Sequence, residues 1–249
     1  MQDLKEPTPL ELTAHSTPVM NPRLHSATTK EHKILASKFH YFVFETEAPF
    51  AYIPGQYINV KVSNQRINDY SIAGSNGNTF DLLVDVSPGG PGSAFFENLK
   101  TGDRITYLGP SGIFTLQLND GSTHLLFLAT GAGISPLKCI IDSALKDRQC
   151  ILPITLYFGL RYNADIFWQD YFQDLVQQYP HFTFKLILSK PDEGWQGLKG
   201  HITDYVAQDF PDLKDFSTYL CGNQNMINEA TNSILSKGCP KERIYTEKF

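Results

Sequence analysis

Residues Leu125 to Lys138 read LLFLATGAGISPLK, and this stretch decides the fold of the second half of the chain. An apolar strand runs into a loop that contains Gly131 and Gly133, and then into a helix with Pro136 in its first turn. A helix N-terminus behind such a loop offers unpaired N–H groups and a partial positive charge, which suit a pyrophosphate. Pro136 stands where the third glycine of the dinucleotide fingerprint would be, so a packing turn is an equal alternative.

Strand and helix patterns alternate from this stretch to the last residue. The strands ITLYFGL, FTFKLILS, STYLCG and RIYTEKF alternate with the helices SPLKCIIDSALKD, FWQDYFQDLVQQY, HITDYVAQDF and NMINEATNSILSKG. This order predicts a doubly wound parallel sheet, an α/β domain over residues 122–249. Ligands of such sheets bind at the C-terminal ends of the strands. Cys221, which ends one strand, and Gly222, which opens the following loop, therefore mark a second candidate ligand-binding edge of the sheet.

The region before this domain has a different pattern. Over residues 31–118, short β-like runs such as KFHYFVFETE, YINVKVS and FDLLVDVS are separated by turn clusters such as IPGQ, GSNGN and PGGPG. They predict an antiparallel β-barrel that is interrupted by one helix over SAFFENLKTGD, ending at Gly102. Residues 1–30 have no sustained period and predict a mobile N-terminal arm, with a partner-docking segment as the alternative. The expected fold is two-domain, all-β plus α/β.

Composition excludes several classes of function. The net charge of −5 and a pI near 5.8 give no electrostatic reason to expect nucleic acid or an anionic membrane as a partner. No apolar run approaches the about 20 residues of a membrane helix, and no signal-peptide pattern is present. The four cysteines lack the spacing of zinc or iron–sulfur ligands, so no metal is expected. We therefore expect a cytoplasmic protein with free thiols.

Six short motifs follow one another in a specific order, although each alone has an ordinary explanation as a turn. Together the motifs resemble those of the ferredoxin–NADP⁺ reductase superfamily. The resemblance covers residues 34–249 and is strongest to the reductase components of bacterial oxygenases, such as benzoate dioxygenase reductase. In chain order the motifs are PGQY, DYSI, GGPGS, GPSGIF, ATGAGISP and CGNQNM.

The resemblance implies that the barrel binds FAD. Tyr70 then stacks on the isoalloxazine ring, Ser71 places its hydroxyl near flavin N5, and Ile72 supplies backbone contacts. The residues that correspond to the FAD pyrophosphate loop are Gly90, Gly92 and Ser93.

One position departs from the family pattern. Asn68 stands where the family has an arginine that binds the FAD phosphate. Residues 66, 68 and 70 share a face of a strand, so we expect Arg66 to replace the missing cation in part. A charge-assisted contact contributes about 1.5–3 kcal/mol, and its loss would weaken FAD binding about tenfold or more.

The resemblance also implies a nicotinamide-nucleotide site in the second domain. Its pyrophosphate loop corresponds to Thr130, Gly131, Gly133 and Pro136. The Cys221 thiol lies beside the reacting nicotinamide carbon, and Gly222 and Met226 belong to the same motif. Glu247 corresponds to a carboxylate near the ring, and Phe249 to a terminal aromatic that covers the flavin.

The choice between NADH and NADPH depends on the residues near the adenosine ribose. Arg161 and Lys190 are cations that a 2′-phosphate would prefer. The subgroup that this chain resembles most uses NADH, however, and Asp165 lies nearby. NADH is therefore the favoured donor.

The function implied by the resemblance is that of an NAD(P)H-dependent flavoprotein reductase. Hydride passes from the reduced nicotinamide nucleotide to flavin N5, and single electrons then pass to a separate acceptor protein such as a ferredoxin, a haem protein or an oxygenase. Two alternatives stay open. The first is a flavin reductase that uses FAD or FMN as a diffusing substrate, which Asn68 favours. The second is a flavin-binding regulatory subunit without turnover, because fold alone does not determine function.

Overall fold

The computed structural model describes residues 24–248 of the chain, and its first half forms a closed antiparallel barrel. The barrel has the strand order β1-β2-β5-β4-β3-β6. One helix, α1 (Pro91–Asn98), connects β5 to β6. The strands are β1 (His25–Ala36), β2 (Phe39–Glu45), β3 (Tyr57–Ser63), β4 (Arg66–Asn76), β5 (Thr79–Asp85) and β6 (Arg104–Ser111).

The barrel forms because alternate residues of its strands are apolar. Phe42 and Phe44 of β2 are fully buried, whereas Tyr41 and Val43, which alternate with them along the strand, are partly exposed. This period of two places one side of each strand in the core. Burying one such side chain contributes about 1.5–3 kcal/mol. The helix α1 closes one end of the core, because Phe96 lies 5.1 Å from the ring of Phe42.

The second half forms a six-stranded parallel sheet with the order β10-β9-β8-β7-β11-β12. Every neighbouring pair is parallel. The strands are β7 (His124–Thr130), β8 (Ile154–Leu160), β9 (Phe182–Leu188), β10 (Leu198–Lys199), β11 (Phe216–Gly222) and β12 (Ile244–Lys248). The helices are α2 (Ile134–Asp142), α3 (Gln169–Gln178), α4 (Ile202–Asp209) and α5 (Gln224–Ser236). The predicted fold class, a barrel followed by a doubly wound sheet, is confirmed.

Helices cover both faces of this sheet. Leu125 and Phe127 of β7 belong to the core cluster that contains the apolar residues of α2 and α3. Leu126 and Leu128 belong to the cluster that contains those of α4 and α5. The central strand is therefore apolar along its whole length because each of its faces packs against helices.

Three boundaries differ from the sequence-based expectation. Strand β1 begins at His25, so residues 25–30 belong to the barrel and not to an N-terminal arm. Its polar residues pair with β2 and β6, and this pairing extends the strand beyond what its composition indicates. Helix α1 ends at Asn98 and a turn carries the chain to Gly102, whose φ of +94° is not helical. Helix α2 ends at Asp142, and a wider helical turn follows over 143–147.

Two parts of the sequence-based expectation lie outside the described residues. They are the remainder of the predicted arm, residues 1–23, and the terminal aromatic Phe249. Among residues 24–248, no helix is both long enough and apolar enough to span a membrane.

Candidate functional site

A cleft of about 1200 Å³ lies between the barrel and the parallel sheet. It contains the point at which the strand order reverses, because β8 and β11 flank β7 on opposite sides. Thr130 ends β7 and Gly222 ends β11, and both line the cleft. The Asn223 amide donates to the Thr130 hydroxyl over 3.3 Å, which ties the two strand ends together. Open α/β sheets bind their ligands at this reversal point.

Strand β4 supplies the barrel side of the cleft. Arg66 Nε donates to Asn68 Oδ1 over 2.9 Å, and Asn68 Nδ2 donates to the Tyr70 hydroxyl over 3.4 Å. These three side chains form a row along the cleft, as expected for alternate residues of one strand. The Tyr70 ring packs edge-on against Phe96 of α1, with 4.7 Å between ring centroids. Desolvation raises the pKa of Tyr70, so its hydroxyl stays protonated.

Ser71 brings the two domains into contact. Its hydroxyl donates to Glu247 Oε2 over 2.9 Å. On β12, Glu247 pairs in register with Cys221 of β11, which is fully buried. Burial raises the pKa of Glu247 to about 7, against the lowering effect of the Ser71 hydrogen bond. Burial and the neighbouring Glu247 raise the pKa of the Cys221 thiol, so the sulfur is a neutral, unreactive group.

Two helix N-termini open into the same cleft without a side-chain cap, those of α1 and α2. Neither has an acidic residue in its first turn. In contrast, side chains cap α4 and α5, and Asp170 lies in the first turn of α3. A 3-10 turn over Gly131–Gly133 leads into α2, and the amide of Ile134 already donates to carbonyls of this turn. The N–H groups at the start of α1 and at the start of this turn, which also has no side-chain cap, are therefore available to anions.

Glycines at these two N-termini allow close approach of the backbone. A Cβ atom on Gly92 would lie 2.5 Å from the Tyr70 hydroxyl and 2.6 Å from Asn68 Nδ2. A Cβ atom on Gly133 would clash with the backbone carbonyl of Cys221. The residues thus fit two ligands that each carry a pyrophosphate, one against α1 and the other against α2. This arrangement matches the requirements of a dinucleotide such as FAD and of a nicotinamide nucleotide.

The structure gathers most of the candidate site residues in this cleft. Arg161 and Lys190 line its far end, where the Arg161 guanidinium lies 5.3 Å from the ring centroid of Tyr162. The other candidates that line it are Arg66, Asn68, Tyr70, Ser71, Gly90, Gly92, Ser93, Thr130, Gly131, Gly133, Gly222 and Met226.

Four candidates hold other positions. Ile72, Pro136 and Cys221 are buried behind the cleft wall, and Glu247 reaches the site through Ser71. Sequence reasoning missed several lining residues, among them Lys38, Phe39 and Ser135. No motif marks Lys38, which lies in a turn of the barrel and reaches the cleft only when the two domains pack together.

The fold and the cleft together define a two-domain oxidoreductase with adjoining flavin and nicotinamide-nucleotide domains. A family model described as Oxidoreductase FAD-binding domain matches residues 26–116, and one described as Oxidoreductase NAD-binding domain matches residues 127–232. The chain belongs to the ferredoxin–NADP⁺ reductase superfamily, as its motifs indicated.

Similar proteins agree with this assignment. Protein RfbI of Salmonella typhimurium is 28% identical over 98% of this chain and 75% of its own length. The phenol hydroxylase P5 protein of Acinetobacter pittii is 30% identical over 90% of this chain, which spans 65% of that protein's length. The crystal structure of the Amycolatopsis reductase GcoB has a TM-score of 0.83 and 28% identity, covering 92% of this chain and 71% of GcoB.

Proposed function

We propose that this protein is an NAD(P)H-dependent flavoprotein reductase that delivers electrons to a separate acceptor protein, such as a ferredoxin, a haem protein or an oxygenase. The observation that carries the proposal is the opening of two uncapped helix N-termini into one cleft beside the Ser71–Glu247 pair. Bound FAD would supply the redox chemistry, accepting hydride from the nicotinamide and releasing electrons singly. The names of the phenol hydroxylase protein and of GcoB support this class of function.

On the barrel side, the proposal gives each residue a physical task. Tyr70 presents an aromatic face to a flat, largely apolar ring. The helix α1, with Gly90, Gly92 and Ser93 at its start, holds the FAD pyrophosphate. Arg66, already hydrogen-bonded to Asn68, supplies the cation that Asn68 lacks.

On the sheet side, the loop from Thr130 to Gly133 and the first turn of α2 hold the pyrophosphate of the nicotinamide nucleotide. Gly222 forms the floor beside the nicotinamide, and Cys221 is buried behind it. With a pKa of about 7, Glu247 holds or releases a proton at the Ser71 hydroxyl near neutral pH. Alignment of the two ligands by these residues would dominate the rate.

We infer NADH as the donor. Arg161 lies at the far end of the cleft, but its guanidinium already packs over the Tyr162 ring. The backbone amide of Lys190 donates to the backbone carbonyl of Arg161 over 2.8 Å, so the two residues are neighbours in the lining of the cleft. If a 2′-phosphate is the natural ligand of this pair, NADPH will be the better reductant and the inference is wrong.

An anaerobic visible titration of the purified protein with NADH, and separately with NADPH, tests the function. The expected result is a flavin spectrum that bleaches with NADH and recovers when an acceptor is added. A colourless protein that oxidises NADH only with added free flavin would favour the flavin-reductase alternative. Bound flavin that neither nucleotide bleaches would favour a regulatory subunit.

The Arg66→Ala variant tests the FAD contact separately. We expect its FAD dissociation constant to rise about tenfold, the loss of one charge-assisted contact. The matched control is Arg104→Ala, because Arg104 is 61% exposed and hydrogen-bonds Ser26 on the barrel away from the cleft. Equal FAD affinities in the two variants would show that Arg66 does not contact FAD.

A further inference from the structure

Lys38 is a cation that lines the cleft and has no role in the proposed function. Lys38 lies in the turn between β1 and β2, and its ammonium group stands where the two domains meet. Lys38 Nζ is 3.8 Å from a carboxylate oxygen of Asp165 in the sheet domain. It is also 4.0 Å from a carboxylate oxygen of Asp85, at the end of β5 in the barrel. The side chain is 29% exposed and lines the cleft.

The donors of this ammonium group are not used by its neighbours. Both distances exceed the about 3.2 Å limit of a good hydrogen bond, and Lys38 Nζ makes no hydrogen bond to any residue from 24 to 248. Asp165 instead accepts from the Ser37 hydroxyl and from the Tyr162 amide. Asp85 likewise accepts from the amide and hydroxyl of Ser87. The Lys38 ammonium is thus held near two carboxylates while its N–H groups stay available to another acceptor.

Lys38 stands beside the glycine loop of the sheet domain. Its Nζ is 5.2 Å from the ring centroid of Phe39. Two carbons of that ring would lie 3.7 Å from a Cβ atom on Gly131. The other arginines and lysines that line the cleft lie elsewhere in it. Arg66 is bonded to Asn68 on β4, Arg161 and Lys190 follow β8 and β9 at the far end, and Lys248 ends β12 of the sheet domain. Lys38 is therefore the lysine that faces the nucleotide loop from the barrel side.

We propose that Lys38 is a binding residue for the nicotinamide nucleotide, donating from its ammonium group to the pyrophosphate that the loop Gly131–Gly133 holds. This inference rests on the proposed function. In the nucleotide-free protein, Asp85 and Asp165 keep the ammonium in place through long ion pairs. When the nucleotide binds, its pyrophosphate accepts hydrogen bonds from the free N–H groups of Lys38. A residue of the barrel then contacts a nucleotide that is held mainly by the sheet domain. The nucleotide is then fixed relative to Ser71, which lies on the barrel.

Calorimetric titration of the full-length, FAD-loaded protein with NAD⁺ and with ADP-ribose tests this role. Both probes contain the pyrophosphate. We expect Lys38→Gln to weaken both about tenfold, as the loss of one charge-assisted hydrogen bond predicts. The affinity of this variant should also depend less on salt concentration than that of the wild type, because one ionic contact is gone. Lys38→Arg keeps the charge and should stay within about threefold of the wild type.

Lys33→Gln is the matched control, since Lys33 is 57% exposed on β1, pairs with Glu31 and is not part of the cleft lining. It should leave both dissociation constants unchanged. Unchanged NAD⁺ affinity in Lys38→Gln, or a weakened affinity with an unaltered salt dependence, would overturn the proposal. So would an equal loss of FAD affinity, which would assign Lys38 to the flavin. Wild-type protein that binds neither probe would instead refute the proposed function itself.

Discussion

Replacing Glu247 by glutamine should stabilise the ligand-free protein at neutral and alkaline pH. The Glu247 carboxyl is largely withdrawn from water and has a pKa of about 7, compared with 4.5 for the exposed group. Glutamine has nearly the same shape, and its side-chain oxygen can still accept the hydrogen bond from the Ser71 hydroxyl. The substitution therefore removes the ionisation of residue 247 and little else.

The sign and size follow from proton linkage. Between pH 4.5 and about 7 the folded protein retains a proton on Glu247 that the unfolded chain has released, so the stability of the wild type falls as pH rises. The stabilising contribution of the protonated Glu247 carboxyl is complete below pH 4.5, and it is lost once the pH passes about 7. This difference between the folded and unfolded pKa of Glu247 corresponds to about 3 kcal/mol in the free energy of unfolding. The Glu247→Gln variant has no such loss, so its advantage should grow from near zero at about pH 4 to about 3 kcal/mol at about pH 8.

Urea unfolding of both proteins across this pH range measures the difference directly. Other titrating groups are common to both proteins, so the difference between their free energies of unfolding isolates residue 247. Glu47→Gln is the control for the loss of a carboxylate, because the Glu47 side chain is 92% exposed. A Glu247→Gln curve that runs parallel to the wild type at every pH would refute the burial argument.

Three further substitutions test the packing of the site. Gly92→Ala should weaken FAD binding about tenfold or more, because its methyl group would displace Tyr70; flavin fluorescence quenching measures this. Gly133→Ala should lower the free energy of unfolding by about 1–3 kcal/mol, since the methyl group meets the Cys221 backbone. Gly90→Ala, with open space around its Cβ position, is the control for stability. Phe172→Ala should lower the free energy of unfolding by about 3–5 kcal/mol, because it leaves a cavity under α3. A denaturation midpoint close to that of the wild type would contradict this prediction.

Local sequence patterns predicted the architecture well. The change from period two to alternating strands and helices indicated a barrel followed by a parallel sheet, because each pattern reflects which faces of an element are buried. The loop after β7 was predicted to lead into a helix with Pro136 in its first turn, and α2 begins at Ile134. The row formed by Arg66, Asn68 and Tyr70 likewise follows from the alternation of side chains along one strand.

Features that depend on contact between the domains could not be read from such patterns. Nothing in the sequence around Lys38 indicates that its ammonium lies between Asp85 and Asp165, because these residues meet only through tertiary packing. The start of β1 was placed too late for a related reason. Its polar residues have weak strand propensity, and pairing with two neighbouring strands outweighs that preference.

The Ser71–Glu247 hydrogen bond joins residues that are 176 positions apart along the chain. The barrel interior forms a core cluster of its own, and so does the α4–α5 side of the sheet. Contacts of such long sequence separation form slowly, because a large loop must close before they contribute. During refolding, the barrel interior and the α4–α5 side of the sheet can each exclude water before the two domains dock and form the cleft. We therefore expect flavin binding to recover in a later kinetic phase than tyrosine and tryptophan burial, which makes the cofactor a reporter of domain docking.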